Sequence, residues 1–174
     1  KKHNLLVVED ACLSLGAKYG GKQTGTFGKV GVFSFGCIKP MQAGEGGMIT
    51  TNDSSLAREL RSLRHWGDRT IEYGVRDTVT LPWNGRMSEI IAAVLIEQLR
   101  GYPSHLSLIQ ENVLLFSELI KDFEGIEIKN TMGLHCTSAY SQVVLKINEA
   151  NLQFSKKELM EKLFKKGITV WHAN

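Results

Sequence analysis

Lys39 stands in Ser34-Phe35-Gly36-Cys37-Ile38-Lys39-Pro40, just after an apolar run and inside a stretch, 36–47, with four glycines and one proline. An amine presented on such a loop can enter a cleft, where desolvation favours its neutral, nucleophilic form. Taken alone, a loop lysine is ordinarily a solvated surface group. Asp10 follows the apolar run Leu5-Leu6-Val7-Val8. Ligands of open α/β sheets bind outside the carboxyl ends of the strands, so Asp10 is placed to meet one. It is equally suited to capping a following helix. Glu9 should point to the opposite face if strand geometry persists that far.

Two further segments carry polar chemistry. Gly44-Glu45-Gly46-Gly47 lacks the spacing of a P-loop or a dinucleotide fingerprint, and is read as a tight turn joining two strands behind Lys39. The better phosphate ligand is Ser34, whose hydroxyl lies five residues before the lysine. In Trp83-Asn84-Gly85-Arg86-Met87-Ser88, Asn84 and Arg86 stand at the entrance of an apolar helix, where anions are readily held. A plain helix entrance explains Ser88 as its cap but leaves Arg86 unexplained.

The elements that must position these groups follow from pattern. Leu5–Val8 reads as a parallel-type strand covered on both faces, 30–35 as a second strand and 48–51 as a third. Residues 11–17 read as a short helix or loop, and Gly20-Gly21-Lys22 as a turn. Asn52 or Asp53 caps a helix with Leu56, Leu60 and Leu63 on one face, stopped by Gly67. Residues 68–82 are polar and irregular. Ser88 caps a nearly all-apolar helix over 90–99 that must be buried, and Pro103 separates it from a second helix over 104–122. Beyond Gly125, the spacing predicts strands over 126–129 and 141–147. A helix opened by the capping box of Ser155 and Glu158 and ended by Gly167 follows, then a strand from Ile168 to Trp171. This divides the chain into 1–124 and a small unit, 125–174.

Composition excludes several classes. With 43% hydrophobic and 22% charged residues the chain is ordinary for a globular protein. The net charge of +3 is scattered, which argues against a nucleic-acid partner or a polybasic membrane patch. The longest apolar run, Ile90–Ile96, is far short of the roughly 20 residues a membrane span needs. Cys12, Cys37 and Cys136 are odd in number and widely spaced, so neither a disulfide framework nor a metal site is expected, and a reducing cytoplasm is. The sequence opens on an apolar strand without an initiator Met, and is read as a piece of a longer protein.

Taken together, the segments resemble the DegT/StrS family of sugar aminotransferases, within fold-type I of the pyridoxal-phosphate enzymes. The resemblance rests on Val8-Glu9-Asp10-Ala11-Cys12, Gly25-Thr26-Phe27-Gly28, Phe33-Ser34-Phe35 with Lys39, Gly44-Glu45-Gly46-Gly47, Asn84-Gly85-Arg86-Met87-Ser88-Glu89 and Gly167-Ile168, in order across nearly the whole chain. It implies an α/β fold: part of a large domain with a mixed, mostly parallel sheet flanked by helices, then the start of a small α+β domain. It implies pyridoxal 5'-phosphate as cofactor, a Schiff base on Lys39, which then shuttles a proton, Asp10 at the pyridinium nitrogen and Ser34 at the phosphate. Asn84 would reach the phosphate of the neighbouring subunit's site in a homodimer with shared active sites, with Arg86 facing substrate there. The implied reaction moves an amino group from glutamate to a keto sugar, nucleotide-linked, in amino-sugar biosynthesis for surface polysaccharide or antibiotic.

Two positions depart from the family pattern. Leu13 stands where members carry Gln or His near the cofactor's phenolic oxygen, and Gly85 replaces an aromatic residue. The family's phosphate-binding glycine-threonine loop and the aromatic ring that stacks on the cofactor are absent from these 174 residues, so the chain alone is expected to bind cofactor weakly and not to turn over. Two alternatives follow. Sugar dehydratases of the family carry His in place of the lysine, which Lys39 opposes; a non-catalytic role is opposed by the joint presence of Asp10, Ser34 and Lys39. His65, Trp66, Trp83 and His172 serve as pocket residues or as packing.

Overall fold

The computed structural model describes residues 3–68, 83–129 and 135–171. Three short strands form the sheet that matters for the chemistry: β1 (Val8–Asp10), β4 (Val30–Ser34) and β5 (Gly47–Thr50), in the order β1-β4-β5. β1 runs parallel to β4 with Asp10 opposite Val32, and β4 runs antiparallel to β5 with Ser34 opposite Gly47. Paired residues share a sheet face, so Asp10, Val32 and Ser34 line one side while Glu9, Gly31 and Phe33 line the other. Val30–Ser34 becomes a strand for the reason its composition suggests: β-branched and aromatic side chains between turn residues.

The first apolar run behaves differently from its pattern. The ladder begins only at Val8, and Leu5 and Leu6 are 74% and 83% exposed. Among the described residues β1 has a strand on one edge only, and these side chains stay largely uncovered. Between β1 and β4 the chain forms a hairpin of β2 (Lys18–Tyr19) and β3 (Lys22–Gln23), turning at Gly20-Gly21. The outer edge of β2 accepts β7 (Cys136–Thr137), from far along the chain.

Helix α1 (Ser54–Arg64) is capped by Asp53, whose side chain accepts from the Leu56 amide. Helix α2 is one continuous rod, Glu89–Ile120, capped by Ser88 and running through Pro103. Proline in a helix interior removes a hydrogen bond at about 3 kcal/mol or more. The break expected there does not occur because packing on both sides holds the rod: Ile91, Leu95, Tyr102 and Leu106 form one stripe, and the Tyr102 hydroxyl donates to the Leu15 carbonyl at 2.8 Å. Val113 is buried further along the same helix. Ile90 is 80% exposed and Val94, Ile96 and Leu99 are exposed too, so the 90–99 segment is buried on one face, not all round.

The C-terminal part holds β6 (Ile126–Ile128) antiparallel to β8 (Leu145–Ile147), a 3-10 turn and helix α3 (Lys156–Lys165). The capping box that opens α3 is complete: Glu158 donates its amide to the Ser155 hydroxyl, and the Glu158 carboxylate accepts from the Ser155 amide at 2.7 Å. Residues 168–171, expected as a strand, form none. With β8 and α3 they line a cavity of about 640 Å³. The irregular segment expected over 68–82 falls, but for Asp68, outside the described residues.

Candidate functional site

Lys39 is positioned by a loop that is itself seated on α2. Phe35 and Met41, each 4% exposed, bury against Leu95 and Tyr102, and burial of side chains this size is worth about 1.5–3 kcal/mol each. The loop closes on its own backbone: Phe35 donates to Gly46 at 2.8 Å, Ala43 to Phe35 at 3.1 Å, and Lys39 to Gly36 at 3.0 Å. Gln98 then clamps it to the helix, accepting from the Gln42 amide at 2.9 Å and donating to the Gln42 carbonyl at 2.5 Å. The sequence signal for this clamp is a lone amide side chain near Leu95, Ile96 and Leu99. The turn 44–47 closes the β4–β5 hairpin beside this loop, as its glycines suggest.

Asp10 and Ser34 end the two strands of the parallel pair, and Lys39, on the loop that follows β4, is near enough for its charge to act on Asp10. Asp10 accepts from the Cys12 amide at 3.0 Å. The Cys12 side chain, then the Cys12 amide, hold the Asp10 carboxyl below its ordinary value against a small opposing effect of burial, and the positive charge of Lys39 lowers it further. The Lys39 amine therefore sits within the field of the Asp10 carboxylate. The Ser34 hydroxyl is bonded weakly, accepting from the Gly36 amide at 3.4 Å, and a side chain on Gly36 would stand 3.6 Å from it. The group has a carboxylate, an amine and a spare hydroxyl on one sheet edge. Leu13, beside it, is half exposed, and its carbonyl accepts from the Ser141 hydroxyl at 2.8 Å.

Glu9, one residue earlier, is spent on structure. Its two carboxylate oxygens accept from Gly25 at 2.6 Å and Phe27 at 2.9 Å. Burial pushes its pKa up, but the amides of Gly25, Phe27 and Gly28, with the Lys22 charge, outweigh that and hold it below its ordinary value. Gly25 has φ +80°, a left-handed conformation that favours glycine. A Cβ on Gly31 would meet the Gly25 carbonyl oxygen at 2.1 Å, so turn and strand are in direct backbone contact. Thr50 seals the contact by donating to the Gly25 carbonyl at 2.7 Å.

Asn84 and Arg86 lie apart from this group. Arg86 donates its Nε to Asn84 Oδ1 at 3.0 Å, Gly85 donates to the Arg64 carbonyl at 3.0 Å, and Asn84 bridges to His65 at the end of α1. Among the described residues, no hydrogen bond or ion pair joins either side chain to Asp10, Ser34 or Lys39. Both are exposed. Trp66, with φ +58°, donates its amide to the Trp83 carbonyl at 3.3 Å and so packs with this same segment, whereas His172 lies outside the described residues. Among the described residues no cluster of His, Cys, Asp and Glu could hold a metal ion, and no helix is long and apolar enough to cross a membrane.

Residues 1–172 match the DegT/DnrJ/EryC1/StrS aminotransferase family. The chain belongs to that family. GDP-perosamine synthase of Caulobacter vibrioides is 44% identical over 108 residues, 62% of this chain and 28% of that protein. A UDP-4-amino-4,6-dideoxy-N-acetyl-beta-L-altrosamine transaminase of Campylobacter jejuni is 30% identical over 98% of this chain and 45% of its own length. Among solved structures, a family aminotransferase from Brucella abortus superposes with a TM-score of 0.83 at 30% identity, covering 97% of this chain and 42% of that one. The GDP-4-keto-6-deoxy-D-mannose-3-dehydratase of E. coli, solved with bound hydrated PLP, gives 0.81 at 27%, covering 94% and 45%. The fold is the α/β fold of these fold-type I enzymes. The chain spans less than half the length of the relatives it matches from end to end.

Proposed function

We propose that the protein carrying this chain is a pyridoxal-phosphate-dependent aminotransferase that takes an amino group from glutamate and places it on a nucleotide-linked keto sugar in amino-sugar biosynthesis. The observation that carries the reading is the meeting of Asp10 and Lys39 at the ends of the parallel strands, in a chain of this family. The names of the Caulobacter and Campylobacter relatives each contain a nucleotide sugar, which supports that substrate class.

The donor set fits the cofactor. An ionised carboxylate suits a protonated ring nitrogen, an amine on a seated loop suits an aldehyde, and a weakly bonded hydroxyl suits a phosphate. When bound, pyridoxal phosphate supplies a conjugated ring that accepts the electron pair released at the substrate carbon. Asp10 would keep that ring nitrogen protonated by remaining ionised. Lys39 would hold the cofactor covalently and, once displaced by the incoming amine, carry a proton to and from the substrate carbon. Ser34 would donate to the phosphate. In this proposal the working unit is a homodimer: Asn84 reaches the phosphate of the neighbouring subunit's site, and Arg86, oriented by Asn84, faces substrate there. Activity then belongs to the assembled, whole protein, and the chain alone holds the cofactor weakly and does not turn over.

The dehydratase reading is favoured by the similarity to the E. coli enzyme and opposed by Lys39. Absorbance with pyridoxal phosphate, before and after borohydride, tests the proposal. A reduced adduct on Lys39, found by peptide mass spectrometry and lost in Lys39→Ala, is expected; an adduct formed equally without Lys39, or none in the whole protein, sinks it. Transfer of ¹⁵N from glutamate to the sugar separates amination from dehydration, which leaves no nitrogen in the product.

A further inference from the structure

His65 has no part in the roles proposed so far, yet it stands directly opposite Asn84. The Gly85 amide donates to the Arg64 carbonyl at 3.0 Å and the Trp66 amide to the Trp83 carbonyl at 3.3 Å, so two bonds flank the His65–Asn84 bridge. That is the non-hydrogen-bonded position of an antiparallel ladder, where facing side chains share one side and come closest. Their Cβ atoms are then about 4.5–5.5 Å apart. The chain holds this pairing against strain: Trp66, the next residue, has φ +58°, a left-handed conformation that a bulky side chain rarely adopts. Strain of this kind persists where the surrounding structure enforces the geometry.

The two side chains carry complementary groups. A guanidinium only donates, so the Arg86 Nε bond at 3.0 Å fixes the Asn84 amide oxygen on the Arg86 side and turns the NH2 away. Among the described residues that NH2 has no partner. His65 Nδ1 is buried and has none either, a condition native proteins seldom leave unrelieved. His65 Nε2 stands 3.9 Å from Asp68 Oδ2, too far for a hydrogen bond, but a carboxylate on that side favours the ring proton on Nε2. Nδ1 is then a lone-pair acceptor. We propose that His65 is a positioning residue for Asn84: its Nδ1 accepts one N–H of the Asn84 amide and leaves the other aimed at the phosphate of the neighbouring subunit's site. The proposal rests on the function given above, in which Asn84 serves that phosphate. Held by Arg86 alone, the amide still turns about its χ2; a second contact on its nitrogen stops that rotation.

The tautomer of His65 tests the pair without any cofactor. In the ¹⁵N-histidine spectrum of the whole protein at about pH 8, where imidazole is ordinarily neutral, His65 should carry its proton on Nε2. Its signal is identified by its loss in His65→Asn. A proton on Nδ1 overturns the proposal, because that nitrogen then has no lone pair with which to accept.

A double-mutant cycle in the whole protein reads the cofactor. His65→Leu should weaken pyridoxal phosphate by about three- to tenfold in Kd, the effect of one hydrogen bond. His65→Asn, whose side-chain oxygen lies where Nδ1 lies, should recover most of that loss. His65→Gln puts its amide where Nε2 lies instead, so it should be as weak as His65→Leu, and it stands in if the leucine variant does not fold. Added to Asn84→Ala, His65→Leu should change Kd by less than about twofold, because a residue acting through Asn84 then has nothing to act on. An unchanged Kd in His65→Leu, no recovery in His65→Asn, or full additivity with Asn84→Ala overturns the positioning role. Failure of borohydride trapping in the natural protein overturns the function itself, and the tautomer still decides whether His65 can accept from Asn84.

Discussion

The two faces of β1 put consecutive carboxylates to opposite uses. On one face Glu9 is saturated by the amides of the 25–28 turn, and Gly25 and Gly31 meet so closely that no side chain fits between them. On the other face Asp10 keeps an open side toward Lys39 and the lightly bonded Ser34 hydroxyl. Strand alternation alone separates the residue that holds the fold from the residue free to hold a ligand. A carboxylate's identity says little; what its oxygens already accept decides what it can do.

Substitutions on the closed face should cost stability and leave cofactor attachment intact; those on the open face should do the reverse. The largest effect is expected for Gly31→Ala, whose Cβ would collide with the Gly25 carbonyl. A loss of about 3 kcal/mol is expected from such overpacking, read as a lower midpoint in denaturant. If that variant is as stable as the natural protein, the backbone contact is not what closes this face. Next is Ser34→Ala, expected to weaken pyridoxal phosphate by about 10- to 100-fold in Kd, the effect of losing a bond to a charged group, with thermal stability unchanged. A drop in stability with unchanged Kd would move Ser34 to the structural side.

Glu9→Gln should destabilise by about 1–2 kcal/mol near neutral pH. The folded-state pKa of Glu9 lies below its ordinary value of 4.5. Its contribution is therefore fully present above that ordinary value and is lost as pH falls toward and through the folded one. Acid titration of stability should flatten in the variant; an unchanged acid limb would remove Glu9 as a contributor. The smallest effect is Ser155→Ala, at about 1 kcal/mol for a lost helix cap. It lies in the C-terminal part and should move thermal stability without moving cofactor Kd. A change in Kd there would couple α3 to the site and blur the contrast.

The parts of this molecule visible in its sequence are the ones with local causes. Asp53, Ser88 and Ser155 cap their helices because a cap depends on the next three residues. The glycine-rich loop around Lys39 is legible for the same reason, as is the closing turn at 44–47. Asp10, Ser34 and Lys39 were legible as a set through their spacing and the family resemblance. What escaped depends on distant partners. β2, β3 and β7 are two residues each, too short to show any period, and exist only because they pair. The job of Gly25-Thr26-Phe27-Gly28 has no local signature, because it is set by Glu9, 16 residues before Gly25. Pro103 misled because its cost is local whereas the packing that overrides it is not. The apolar pattern of 90–99 spoke of burial, and one face of it is open within this chain.

The pairing of β2 with β7 sets a clock on biosynthesis. Tyr19 finds its strand partner only at Cys136, so the outer edge of the 18–23 hairpin waits while 117 further residues are made. At ribosomal speeds of roughly 5–20 residues per second, that is about 6 to 24 s with an unpaired strand edge facing other nascent chains. An open edge of this kind templates wrong partners. It is two residues long and carries Lys18, which shortens the template and charges it, so the sequence that delays closure also guards the delay.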